Sequence, residues 1–232
     1  MNDSPTAANN RLNGPQKVAA ALIAAMLVWV LLPQLDLGVS ALFFRPGRGF
    51  FLDGLAPVQW IYRATRWYIA VLSPVLLLAW CYAMLPSSKL ASVWRGRLGF
   101  LILALALGPG LVTNTLLKDH WGRPRPEQIA DFGGTAHYVA PLLPSAQCRR
   151  NCSFPSGHAA AGFYLIAGAW VWPRQRRGWW LAGCIAGAII GLVRIAQGGH
   201  FLSDVLGALG VVWLCNALLA RGMRRLGWLV PV

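Results

Sequence analysis

The sequence predicts an all-α integral membrane bundle of six transmembrane helices. Mean hydropathy is +0.51 and only 12% of the 232 residues are charged, which is too apolar for a soluble domain of this size. Six apolar stretches, roughly 18 to 35, 67 to 85, 98 to 117, 157 to 173, 179 to 197 and 201 to 220, each approach the roughly 20 residues a helix needs to cross a bilayer. Several of the 12 Trp residues (Trp67, Trp94, Trp172, Trp179, Trp180) fall at the ends of these stretches, as in an interfacial aromatic belt. For any single Trp, ordinary helix packing explains the position equally well.

Taken in order, residues 1–17 read as a cytoplasmic N-terminal segment, 18–220 as one membrane domain and 221–232 as a basic cytoplasmic tail. The first stretch starts Val18-Ala19-Ala20-Ala21-Leu22 behind Arg11 and Lys17, the layout of a signal peptide. No small-residue cleavage site follows, so it reads as a retained helix. Loop one, roughly Asp36 to Arg66, is rich in Gly, Pro and aromatics (Phe43, Phe44, Phe50, Phe51, Trp60, Tyr62) and suits an amphipathic segment lying among headgroups. Between the third and fourth stretches, roughly Asp119 to Pro155, Gly122-Arg123-Pro124-Arg125-Pro126 and Phe132-Gly133-Gly134 break helix. The later loops, Pro173 to Gly178 and Gln197-Gly198-Gly199, are short. They keep the last three helices adjacent and bring His158 and His200 to one membrane face.

A formal net charge of +14 would suggest nucleic acid in a soluble protein, but here the charges are scattered through short loops. Anionic membrane lipids are the expected partners, and nucleic acid is not. With a cytoplasmic N-terminus the basic residues divide about 11 inside to about 10 outside. Setting aside Lys118, Arg125 and Arg194 as chemical rather than topological leaves about 11 against about 7, which favours both termini inside. Cys81, Cys184 and Cys215 lie in apolar stretches and read as buried small hydrophobes. Cys148 and Cys152 share the long third loop. They form either a disulfide, suited to an oxidising compartment, or two free thiols, while a zinc site with His137 or His120 lacks the usual ligand spacing.

Three fragments carry chemistry. Lys118 and Arg125 flank the end of the third stretch; an Arg binds phosphate oxygens as a bidentate fork and a Lys as a point charge. Either alone reads as a snorkelling base. Pro155-Ser156-Gly157-His158 opens the fourth stretch, where unpaired N–H groups and the helix dipole favour an anion. Ser156 alone is an ordinary N-cap, whereas His158 beside it suits a general acid. Arg194 ends the fifth stretch, an expensive place for an unpartnered charge, and His200 and Asp204 stand four apart on the sixth. A carboxylate on one ring nitrogen leaves the other as a directed base or nucleophile. Asp204 is the only acidic residue in the last hundred.

These fragments, in this order, resemble the type-2 phosphatidic acid phosphatase superfamily, which also contains bacterial acid phosphatases and vanadium haloperoxidases. The family pattern is Lys, six residues, Arg-Pro; then Pro-Ser-Gly-His; then Ser-Arg, five residues, His, three residues, Asp. Lys118 to Arg125-Pro126, Pro155 to His158, and Arg194 to His200 to Asp204 match it within a motif core at about 114–210. Val193 stands where the family usually has Ser, which removes one hydroxyl and no charge. The resemblance implies that His200 attacks phosphorus to form a phosphohistidine, oriented by Asp204. It implies that His158 protonates the leaving oxygen and then activates water, and that Lys118, Arg125, Ser156, Gly157 and Arg194 hold the phosphoryl group. No metal or other cofactor is implied, since fixed cations supply the positive charge.

The expected substrate is a lipid phosphate at the extracytoplasmic interface, reached beside spans three to six. This suits a bacterial inner membrane protein whose site faces the periplasm. Phe132-Gly133-Gly134, Cys148, Cys152 and Ser153 to His158 look most like the lipid A phosphatases, particularly the 4'-phosphate branch. The 1-phosphate, undecaprenyl diphosphate, phosphatidylglycerol phosphate and transfer to a lipid acceptor remain rivals, as does an inert lipid-binding or transport pocket. Six spans argue against a soluble peroxidase. Oligomeric state is not legible.

Overall fold

Backbone in a bilayer must satisfy its own hydrogen bonds, so apolar runs of this length become helices. The computed structural model describes residues 20–21, 23–24, 27–28, 32–88 and 92–229. They form α1 (Gln34–Ala41), an antiparallel hairpin of β1 (Phe44–Arg45) and β2 (Gly49–Phe50), α2 (Ala56–Met84), α3 (Ser92–His120), α4 (Gly157–Phe163), α5 (Gly168–Val171), α6 (Arg176–Ala196) and α7 (Leu202–Arg225). In the hairpin Phe44 faces Phe50 and Arg45 faces Gly49.

Among the described residues four helices are long and apolar enough to cross a membrane: α2, α3, Pro173–Ala196 and α7. Six were expected. The first expected span, 18 to 35, lies partly outside the described residues, and the segment 1–17 lies wholly outside them. The fourth, 157 to 173, is no single rod: α4 tightens to 3-10 geometry over Tyr164–Ala167, resumes as α5 and stops before Pro173. Its residues Ala159, Ala160, Ile166 and Ala167 are fully buried, because α2, α3, α6 and α7 surround α4. A helix enclosed by protein has no bilayer thickness to match.

The second span starts at Ala56 instead of about 67, with Pro57 in its first turn, where a missing N–H costs nothing. Tyr62, Arg63 and Arg66 therefore ride on α2 and not in loop one. Two of the aromatics of that loop pack on protein. Phe44 and Phe50 pack on Phe132 of the third loop, with ring centroids 5.2 and 5.5 Å away, in a small core with Ile129 and Phe201. At the opposite end Trp172 stacks on Trp179 at 5.0 Å and meets Trp94 at 6.4 Å, so these belt candidates pack on one another. Helix α7 runs on to Arg225 and takes in the start of the expected tail.

Glycine permits the tight seam between α4 and α6. A methyl group on Gly162 would come within 2.8 Å of the Gly187 backbone, a spacing that only small residues allow. Along the chain α2 starts, α3 ends, α4 starts, α6 ends and α7 starts at one end of the bundle, and that end carries the motif residues.

Candidate active site

Lys118 closes α3, Ser156 caps α4 and accepts from the Ala159 N–H at 3.4 Å, and Arg194 sits in the last turn of α6. His200 lies in the turn before α7, whose first turn holds Asp204. The Ser156 N–H donates to the Asp204 carbonyl at 3.0 Å, which locks the start of α4 to the start of α7. Lys118 and Arg194 are each 7% exposed, unusual burial for two cations lying close enough to act on one imidazole.

His200 is fully buried. Burial pushes its imidazole down to about 3; Asp204 opposes the shift, and Lys118 and Arg194 add to it. The ring is therefore neutral at physiological pH, as a nucleophile requires. Its Nδ1 stands 3.6 Å from Asp204 Oδ2, just beyond hydrogen-bond distance. The Asp204 carboxylate beside the ring is engaged by other groups as well. It accepts from Arg123 Nη1, from Ser153 Oγ at 2.5 Å and from the Phe201 N–H at 2.7 Å. Burial alone would push Arg123 down, but the carboxylates of Asp204 and Asp36 hold it above its ordinary value.

His158 stacks on Tyr62 with centroids 4.6 Å apart, and the Arg194 guanidinium lies 4.8 Å over the same Tyr62 ring. Tyr62 thus spaces one imidazole from one phosphate-type cation. Arg194 Nη1 also donates to Gln197 Oε1 at 2.6 Å, and Gln197 is fixed in turn by Asp53 at 2.8 Å. Arg125 donates to the Asn151 carbonyl at 2.9 Å and adds to the positive field at Lys118 and Arg194. Nε2 of His158, Nε of Arg194 and both ring nitrogens of His200 are buried without a hydrogen-bond partner among the described residues. Such atoms are costly unless a polar group meets them.

The structure thus brings Lys118, Arg125, Ser156, Gly157, His158, Arg194, His200 and Asp204 to one end of the bundle. A cavity of about 620 Å³ adjoins Lys118, Gly157 and His158 and runs past Ile69, Leu105 and Pro109 between α2 and α3. That is the second and third spans, where sequence placed access beside spans three to six. Cys148 and Cys152 are bonded, which removes both thiolates from any zinc site. The Cys152 N–H donates to the Lys118 carbonyl at 3.1 Å and braces that lysine's backbone.

Sequence reasoning missed Tyr62, Arg123, Ser153 and Asp36. The available signal was scarcity: with only 7 Asp and Glu in the chain, an acid at the edge of an apolar stretch, as Asp36 is, needs a partner.

Residues 98–228 match the family described as PAP2 superfamily, more than half the chain and every predicted site residue. The chain belongs to the PAP2 superfamily. A "Lipid A 4'-phosphatase" of Francisella tularensis subsp. novicida is 31% identical over 82% of this chain and 87% of its own length. A Rhizobium etli protein of the same name is 41% identical over 50% of this chain and 46% of its own length. The "Undecaprenyl-diphosphatase BcrC" of Bacillus subtilis is 31% identical over 68% of this chain and 70% of its own length. No solved structure matches. As a PAP2 protein with phosphatase relatives and four spanning helices, the chain is an integral membrane phosphate hydrolase.

Proposed function

We propose that this chain removes a phosphate from lipid A, at the 4'-position, through a phosphohistidine on His200. The observation that carries the reading is the set of buried, unpartnered nitrogens on His158, Arg194 and His200, with His158 and Lys118 lining a cavity that runs on past Ile69, Leu105 and Pro109. A phosphate would meet those nitrogens, and acyl chains suit the apolar end between α2 and α3. The relative named for the 4'-phosphate, aligned over most of both chains, favours that position over the 1-phosphate.

In this mechanism His200 Nε2 donates its lone pair to phosphorus while Nδ1 faces Asp204. The P–O bond to the sugar breaks with its electron pair on oxygen, which takes the proton carried by His158. His158 then accepts a proton from water as that water displaces the histidine from phosphorus. Lys118, Arg125 and Arg194, with the Ser156 hydroxyl and the first amides of α4, hold the phosphoryl oxygens and neutralise charge in transit. The bonded Cys148–Cys152 pair suits an oxidising compartment and so supports a periplasmic site, and cytoplasmic termini belong to the same proposal.

The experiment is phosphate release by detergent-solubilised protein, with EDTA present, from lipid A, undecaprenyl diphosphate, phosphatidylglycerol phosphate and phosphatidic acid, alongside His200→Ala. Release from lipid A that disappears in folded His200→Ala is the expected result. Wild-type turnover in that variant would sink the mechanism. Preference for undecaprenyl diphosphate would replace the substrate, and labelled phosphate found on lipid instead of in solution would mark a transferase.

A further inference from the structure

Two charges buried beside Asp204 have no role in the mechanism above. Arg123 and Asp36 are both fully buried. The guanidinium is shared: Nη1 bonds Asp204 Oδ1, while Nη2 donates to Asp36 Oδ2 at 2.8 Å and Nε to the Val139 carbonyl at 2.7 Å. Its face lies 4.4 Å over the Phe201 ring. Asp36 is held from α7 as well, by the Ser203 N–H at 2.9 Å and Ser203 Oγ at 2.5 Å, and from the third loop by the Tyr138 hydroxyl at 3.1 Å. Asp36 lies outside the stretch 98–228 that matches the PAP2 superfamily.

Two carboxylates thus share one cation. With both ionised, the cluster holds one excess negative charge in a site without water contact, an arrangement that costs stability unless a positive charge offsets it. Lys118 offsets part of it through its field at Asp204, and the ring of His200, 3.6 Å from Asp204, is the adjacent group that can supply a further positive charge during the reaction. At rest that ring is neutral. Once Nε2 has bonded to phosphorus, the ring is a cation with its Nδ1–H directed at Asp204. The cluster is balanced in the transition state and unbalanced in the ground state, and stabilisation of that kind raises turnover.

We propose that Asp36 is a positioning residue of the reaction: by engaging half of Arg123 it leaves Asp204 with net negative charge to stabilise His200 as that ring becomes cationic. The proposal rests on the phosphohistidine reading. A purely structural Asp36 would tie α1, the third loop and α7 together and would affect stability alone.

The test compares full-length wild type, Asp36→Asn, Arg123→Gln and the double variant in detergent, with kcat and KM for phosphate release from lipid A and size-exclusion profiles as the fold check. The cluster charge, counted over Asp36, Arg123 and Asp204, is one negative in wild type and in the double variant, zero in Asp36→Asn and two negative in Arg123→Gln. Asp36→Asn is expected to lower kcat by about 10- to 100-fold with KM within about threefold, the scale of losing one oriented electrostatic contact in a site. The double variant is expected to turn over faster than Asp36→Asn, since its charge is restored. A folded Asp36→Asn whose kcat stays within about twofold of wild type overturns the proposal. So does a double variant whose loss is the product of the two single losses. Should Asp36→Asn alone not fold, the double variant is read against Arg123→Gln: a higher kcat supports the proposal and an equal or lower one overturns it. Wild-type protein that releases no phosphate from any lipid overturns the phosphatase reading itself, and that result precedes any comparison of variants.

Discussion

Gly199→Ala adds one methyl group beside Arg194, the arginine proposed to hold phosphate, and changes no charge. The added carbon would sit 2.1 Å from Arg194 Nη2 and 2.7 Å from its Cζ, where ordinary contact begins at 3.4 Å. The guanidinium must therefore retreat by about 1.3 Å. It cannot swing freely, since Gln197 holds Nη1 at 2.6 Å and Tyr62 underlies its face. A misplacement near 1 Å costs on the order of 100-fold where geometry governs rate, and loss of one charge-assisted hydrogen bond costs about 1.5–3 kcal/mol. Together these set an expected fall in kcat/KM of about 10- to 100-fold. The assay is phosphate release from lipid A in mixed micelles, with Gly222→Ala as control, because a methyl group there meets nothing within 4 Å. A Gly199→Ala enzyme within about twofold of wild type would refute the placement of Arg194 at the phosphate.

Three further outcomes are expected. Gly187→Ala drives a carbon to 2.2 Å from the Phe163 ring, so it should lower stability by about 1–3 kcal/mol, read as a lower melting temperature in detergent; an unchanged value would contradict the close α4–α6 seam. Replacing Cys148 and Cys152 together with Ser opens a short covalent loop, which removes about 2 kcal/mol of stability and loosens the Lys118 backbone; a thiol count of five instead of three in the denatured, non-reduced wild type would show the bond absent. Acid should destabilise the protein through His200. Its folded value near 3 lies below its ordinary 6.5, so the unfolded chain takes the proton first, and the contribution is complete above about 6.5 and lost as pH falls toward 3. If wild type and His200→Gln lose the same stability between pH 7.5 and 4.5, that sign is wrong.

The candidate site residues stood out in the sequence because they fall in short fragments: a histidine one turn from a lone aspartate, a serine at a helix start, an arginine ending an apolar run. Length and hydropathy likewise disclosed α2, α3, α6 and α7. What escaped was set by packing between distant segments. Nothing local to Asp36 or Arg123 says that they meet across 87 residues. The early start of α2 was hidden because Pro57 reads as a loop breaker as readily as a first-turn residue. The broken helix Gly157–Val171 passed for a span because apolar content is the same for a helix buried in lipid and one buried in protein.

That enclosure of α4 has a mechanical consequence. Bilayers of different thickness act on a protein by tilting or bending the helices that face lipid, an effect known as hydrophobic mismatch. Helices α2 and α3 expose long apolar side chains such as Leu78 and Leu111 and will respond. Helix α4 does not face lipid, and Ser156 is fastened to Asp204 at the head of α7. Ser156 and Asp204 therefore keep one depth relative to each other, while Lys118 at the end of α3 and the cleft between α2 and α3 follow the helices that face lipid. Membrane composition is then felt on the α2–α3 side of the candidate site, and the junction of α4 with α7 is insulated from it.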